Sequence, residues 1–175
     1  NGVTGAITRK IFNSLNVNFE IIYEDVDGNF PNHPPDPTNE ENLSDLKQSI
    51  IDNNADFGFA YDGDGDRVCV VNSDGKILWP DQLLMLYSRS ILKKSPKGKI
   101  VYDIKCSKHV EKEITKYGGV PILSRTGHSF IKKAIIEENA LLGGEMSGHI
   151  FFADRRGGFE DGICAERRYL QVIAA

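Results

Sequence analysis

The sequence predicts an α/β fold: two α/β/α sandwich units with mixed, mostly parallel sheets, the first unit truncated. Three observations predict it. Past residue 98, short apolar runs alternate with amphipathic helical stretches, the pattern of strands joined by crossover helices. Several apolar runs end in polar, glycine-containing loops, as strands of an open sheet do at their carboxyl ends. The chain also opens at Asn1 directly against a helical pattern with no strand before it, which reads as a piece of a longer protein.

The elements follow in order. Ile7, Ile11, Phe12 and Leu15 recur at helical spacing and predict a helix over 5–15. Residues 18–23 read as a strand. Residues 27–38 hold four prolines and must form an irregular loop. A helix is expected over 40–53 with Leu43, Leu46, Ile50 and Ile51 inward. Strands follow at 55–61 and 68–72, then a turn at 73–76 and a returning strand at 77–79. Pro80 suits the first turn of a helix reaching Leu92. Beyond the 95–99 stretch come strands at 100–104, 120–124 and 140–145, with helices at 107–117, 128–139 and 161–173. The expected units are 1–78 and 79–175, with the division falling somewhere between 73 and 98.

Composition narrows the class. With 40% hydrophobic and 26% charged residues, the 175-residue chain has the make-up of a soluble globular protein. A net charge of −4 argues against non-specific nucleic-acid binding. No apolar run reaches roughly 18 residues, so no membrane span or membrane partner is expected, and no basic-then-apolar leader is visible. Cys69, Cys106 and Cys164 are odd in number and form no CxxC pair, which points to a reducing, cytoplasmic setting. The Asn42-Leu43-Ser44 sequon carries no meaning there.

The strongest chemical signal is "DGDGDR", residues 62–67. Asp62, Asp64 and Asp66 are three carboxylates within five residues, and a hard cation such as Mg²⁺ or Ca²⁺ relieves their repulsion with oxygen ligands. Gly63 and Gly65 let the backbone turn tightly enough for convergence. A solvated acidic turn is the plainer alternative, disfavoured by the strongly apolar strand before it. An EF-hand is rejected, because its sixth and twelfth positions would be Arg67 and Ser73 rather than Gly and Glu. Arg67 could pair with a neighbouring carboxylate or hold a phosphate or substrate oxygen.

A second loop, "GGEMSGH" at 143–149, alternates Glu145, Ser147 and His149 so that an extended chain faces all three to one side. Such a set suits the vicinal hydroxyls of a sugar. Taken alone, an ordinary polar hairpin fits equally well. No G-x-S-x-G elbow surrounds Ser147. Lys105 after one strand, and Arg125, Gly127 and His128 after another, complete four polar loops at predicted strand carboxyl ends. Singly, Lys105 reads as a surface lysine and His128 as a helix-start residue. A parallel sheet would gather all four loops on one edge.

These segments, with "DGNFPNHPPDP" and "TGHSFIKK", resemble the phosphomannomutase/phosphoglucomutase branch of the α-D-phosphohexomutase family over nearly the whole chain. The resemblance implies interconversion of hexose 1-phosphates and 6-phosphates through a bisphosphate intermediate, with a phosphoserine in another domain as donor. It implies Mg²⁺ on Asp62, Asp64 and Asp66. It implies Arg67, Lys105 and His128 around the reacting group, where they would steady charge or assist proton transfer. Glu145 and Ser147 would bind sugar O3 and O4, with His149 and Gly127 beside them. The implied substrates are mannose or glucose 1- and 6-phosphates.

The departures are as informative. The family's serine loop, its fourth, phosphate-gripping domain and the first strand of its second domain have no counterpart here. Arg125 stands where relatives often carry lysine. The implied partners are therefore the remaining domains of a longer parent chain, and this piece alone is expected to lack mutase activity, to bind substrate phosphate weakly and to carry an open sheet edge. Two rival classes fit the residues less well. A non-catalytic metal- or sugar-binding module would have no need of Lys105, Arg67 and His128 on one edge. A phosphatase-like hydrolase would need a DxDx[TV] motif, and Asp66 follows Gly65 instead.

Overall fold

A computed structural model describes residues 1–15, 17–154 and 158–174. Three strands, β1 (Phe57–Tyr61), β2 (Val68–Asn72) and β3 (Ile77–Leu78), form an antiparallel meander in that order. Five more, β4 (Lys99–Asp103), β5 (Val120–Ser124), β6 (Leu142–Gly144), β7 (Ile150–Phe152) and β8 (Phe159–Glu160), form a second sheet in the order β5-β4-β6-β7-β8. The pairings of β4 with β5 and β6 are parallel; those of β7 with β6 and β8 are antiparallel. The fold is thus a mixed α/β one with two sheets, and its parallel pairs are confined to β4, β5 and β6.

Helices α1 (Gly5–Asn13), α2 (Ser44–Asp52), α3 (Pro80–Lys94), α4 (His109–Lys116), α5 (His128–Glu138) and α6 (Gly162–Ile173) surround these sheets. The period of two along each strand decides what packs where. In β2, Cys69 and Val71 face α2 with Leu43 and Ile50, whereas Val68 and Val70 join Leu83, Leu84 and Tyr87 of α3. In the second sheet, Ile100, Tyr102 and Leu142 face α3, α4 and α6, and Val101 and Phe151 face Ile131 and Ile135 of α5. Helix α6 lies against both sheets: Tyr169 meets Phe57 and Phe59 edge-on, with ring centroids 5.5 and 5.7 Å away, and Tyr87 of α3 donates to Ala165 O at 2.9 Å. One core therefore runs through both predicted units.

Several expectations are corrected. Residues 18–23 form no strand. They run without a backbone hydrogen-bond partner among the described residues, and a strand is defined by its neighbour. Ile51 is 61% exposed rather than inward, because a helix packed on one face of a sheet buries only part of its apolar stripe. Ile7 and Leu15 of the first helical stretch are likewise exposed. Residues 40–43 form a 3₁₀ turn capped by Asn39, whose side chain accepts from Glu41 N, before α2 begins. Strands β7 and β8 add to the expected set. No helix is long and apolar enough to cross a membrane.

Candidate functional site

The acidic loop leaves the carboxyl end of β1 and is fastened to its surroundings at two backbone points. Val3 N–H donates to Gly63 O and Gly162 N–H, at the start of α6, donates to Gly65 O, each at 3.0 Å. Within the loop, Asp62 Oδ1 accepts from Gly65 N (3.0 Å) and Arg67 N (3.2 Å), and Oδ2 accepts from Arg67 Nε (2.6 Å). Gly65 has φ +80°, and a Cβ there would lie 2.3 Å from Thr4 Cγ2, so glycine is required on both counts. Burial alone would raise the Asp62 carboxyl, but the Arg67 hydrogen bonds overcome it and hold it below its ordinary value. Asp66 moves the other way, raised by burial and by its proximity to Asp62. One oxygen each of Asp62, Asp64 and Asp66 lie within 4.8 Å of one another. Octahedral ligands about 2.1 Å from Mg²⁺ sit roughly 3–4 Å apart. A small inward shift therefore fits these hard oxygen donors to one such ion.

The second loop turns between β6 and β7. Glu145 is 3% exposed. Its Oε1 accepts from Ser147 Oγ and from His149 Nδ1, both at 2.6 Å, and its Oε2 accepts from Gly127 N at 2.9 Å. Burial would push this carboxyl up; the donors from His149, Ser147 and Gly127 outweigh burial and hold it at about 2. Because a carboxylate only accepts, Nδ1 of His149 carries a proton. Burial would lower the imidazole, but the Glu145 hydrogen bond and the charges of Asp66 and Glu145 raise it.

The two loops meet. Arg67 and His149 are paired in an isolated antiparallel bridge, and His149 Nε2 lies 3.3 Å from Asp66 Oδ1. The β5 loop joins them: Gly127, at φ +126°, opens α5 and donates to Glu145, and the His128 ring centroid is 5.8 Å from that of His149. His128 Nδ1 is 3.7 Å from Glu160 Oε1. Lys105 sits exposed on the turn after β4. That turn is built on the fully buried Asp103, which accepts from Cys106 N (3.2 Å) and Thr126 Oγ1 (2.9 Å) and so ties the Lys105 turn to the Arg125–His128 loop. Arg125 is exposed with its guanidinium 6.0 Å from the Phe130 ring centroid. Arg67 is also braced from the proline-rich loop: besides Asp62, its Nη1 reaches Asp36 Oδ1 at 3.4 Å.

Comparison with known proteins fits this geometry. The sequence profile of "Phosphoglucomutase/phosphomannomutase, alpha/beta/alpha domain III" matches residues 79–175, and that of "alpha/beta/alpha domain II" matches residues 1–75. The chain belongs to the phosphoglucomutase/phosphomannomutase family. It is 47% identical over 174 residues to a phosphomannomutase/phosphoglucomutase of Pseudomonas aeruginosa, covering 99% of this chain and 38% of that one. It is 44% identical over its whole length to a phosphoglucomutase of Neisseria gonorrhoeae, again 38% of the relative. A crystal structure of a family protein from Burkholderia thailandensis superposes with a TM-score of 0.96 at 43% identity, covering 99% of this chain and 38% of that chain. The chain thus spans well under half the length of these relatives.

Sequence reasoning missed four groups that shape this candidate site. Asp36, in the proline-rich loop, braces Arg67. Asp103 braces the Lys105 turn. Glu160 borders His128. Glu166 of α6, 2% exposed, accepts from Tyr61, the residue before Asp62. A lone acidic residue outside any periodic motif gives no signal in one sequence. The polar Asp in an otherwise apolar "IVYD" run was the one readable hint.

Proposed function

We propose that the longer protein carrying this chain is a phosphohexomutase that interconverts mannose or glucose 1-phosphate and 6-phosphate through a bisphosphate intermediate, in the cytoplasm, and that this chain is its metal- and sugar-reading centre. The observation that carries the reading is the His149 contact with both Asp66 and Glu145, which puts the acidic loop and the "GEMSGH" loop on one edge. Asp62, Asp64 and Asp66 would hold Mg²⁺, which supplies charge stabilisation for the phosphoryl group during transfer. Glu145 and Ser147 accept from and donate to sugar hydroxyls, while Gly127 and His149 fix the Glu145 carboxylate. His128 and Lys105, both exposed, supply a proton carrier and a cation for the oxygen that gives or takes the phosphoryl group. Arg67 sets the conformation of the acidic loop through Asp62. The units divide at 78/79, and the donor serine and the phosphate-anchoring residues belong to the remainder of the parent.

The test is conversion of mannose 1-phosphate and glucose 1-phosphate by the longer protein with Mg²⁺, beside its Asp64→Asn variant and the 175-residue chain alone. Turnover of either sugar, loss of at least about a hundredfold in the variant, roughly 2.7 kcal/mol, and a silent short chain are expected. A folded, metal-loaded parent inactive on both sugars would overturn the reading.

A further inference from the structure

Asp103 closes β4, the middle strand of the parallel trio β5-β4-β6, and is fully buried. Three donors reach its carboxylate, and they come from two loops. Oδ1 accepts from Cys106 N at 3.2 Å and from Cys106 Sγ at 3.0 Å, within the turn that carries Lys105. Oδ2 accepts from Thr126 Oγ1 at 2.9 Å, in the loop that carries Arg125 and His128. Burial and the Asp103 carboxylate push the Cys106 thiol well up, so it stays protonated and donates. All three donors are neutral, and Asp103 forms no salt bridge among the described residues. A carboxylate taken out of water beside neutral donors alone costs stability that an apolar side chain would not. What it does, and an apolar side chain cannot, is accept from two loops at once, one with each oxygen.

We propose that Asp103 is a positioning residue for phosphoryl transfer: its two oxygens fix the spacing between the Lys105 turn and the Arg125–His128 loop, so that Lys105 and His128 keep one separation across the strand ends. The inference rests on the phosphohexomutase reading, which puts both residues around the reacting group. Lys105 and His128 are exposed, so their own burial does not set where they stand; the backbone that carries them does. The Lys105 turn is held by Asp103 and by Asp81, whose Oδ2 accepts from Ser107 N at 3.0 Å. The loop after β5 is held by Asp103 and by Glu145, whose Oε2 accepts from Gly127 N at 2.9 Å. Asp103 is the carboxylate common to both. Misplacement by about 1 Å at a reacting centre costs up to about a hundredfold in rate. The residues that anchor the substrate's phosphate belong to the rest of the parent, so loss of this spacing acts on kcat rather than on KM.

The experiment compares Thr126→Val, Thr126→Ser, Asp103→Ala and the Thr126→Val/Asp103→Ala double variant of the longer protein, on mannose 1-phosphate and glucose 1-phosphate with Mg²⁺. Valine keeps the size of Thr126 and takes only the hydroxyl; serine keeps the hydroxyl. Thr126→Val and Asp103→Ala are each expected to lower kcat about tenfold to a hundredfold, with KM within about threefold of wild type, and Thr126→Ser to keep most of the rate. The double variant is expected to be no slower than the slower single one, since both changes remove the same tie. If Asp103→Ala does not fold, valine against serine decides. In ¹⁵N spectra of the 175-residue chain, Thr126→Val is expected to move the Lys105 and Cys106 amides across the tie and to leave Gly63 and Gly65 of the acidic loop in place. An active wild type beside an unimpaired Thr126→Val would overturn the inference and leave the phosphohexomutase reading standing. So would losses that multiply in the double variant, a raised KM at unchanged kcat, or Lys105 and Cys106 amides that stay still. A wild type inactive on both sugars would remove that reading and the inference with it. Loss of dispersed spectra in Thr126→Val would make the tie a folding contact and overturn the proposal.

Discussion

One guanidinium, that of Arg67, settles how the acidic loop is held. Asp62 is 4% exposed, and a carboxylate at that depth needs donors for its oxygens. Two are loop amides; the third is Arg67 Nε at 2.6 Å. Arg67→Ala leaves that oxygen short of its charged partner, and urea unfolding at pH 7 is expected to show a loss of roughly 2–4 kcal/mol. Arg67→Lys restores charge without the forked geometry and should recover only part of it. An alanine variant within half a kcal/mol of wild type would mean that Asp62 finds other donors. The aspartates and Arg67 were legible because chemistry and spacing coincide within six residues. The brace from Asp36 was not: the pair is separated by 31 positions, and the intervening proline-rich loop follows no period from which its course could be read.

Strand β6 shows what an element needs beyond its own composition. It is three residues long, and two of them are Gly143 and Gly144. A Cβ on Gly143 would come within 2.6 Å of Ile135 Cδ1 and 2.9 Å of Ile131 Cγ2, so α5 can lie this close only over glycine. Helix α5 begins at His128, directly after the Gly127 that holds Glu145, so the closeness sets the site as well as the core. Gly143→Ala is expected to cost about 1–3 kcal/mol through overpacking, measured by denaturant unfolding. Ile135→Val in the same chain should return part of it by removing the nearest methyl. Equal stability of Gly143→Ala and wild type would show that α5 shifts freely. The apolar run at 140–145 made this strand legible. Residues 18–23 have the same kind of composition and form none, because among the described residues no neighbour supplies backbone hydrogen bonds. Conversely, Ile150–Phe152 is a strand by virtue of lying beside β6, a property of the assembled sheet rather than of three residues.

At the scale of the whole molecule, helix α6 joins the two sheets, and a single buried acid sits in the joint. Glu166 accepts from the hydroxyl of Tyr61, 105 positions earlier, while its Oε1 has no hydrogen-bond partner among the described residues. Burial pushes its carboxyl up to about 7 from an ordinary 4.5, only partly offset by the Tyr61 hydrogen bond. The folded chain therefore keeps a proton on Glu166 that the unfolded chain releases above about pH 4.5. Stability from this group falls as pH rises from about 4.5 to about 7, and above pH 7 the whole penalty of an ionised buried carboxylate, roughly 3 kcal/mol, is present. Glu166→Gln keeps an acceptor for Tyr61 and cannot ionise. Urea unfolding at pH 5, 6, 7 and 8 is expected to show the variant and wild type nearly equal at pH 5 and the variant more stable by up to roughly 3 kcal/mol at pH 8. A difference that stays constant across that range would mean that the carboxyl titrates elsewhere. A growing one would mean that the grip of α6 on the first sheet, and with it the seating of Asp62 one residue beyond Tyr61, loosens as this proton leaves.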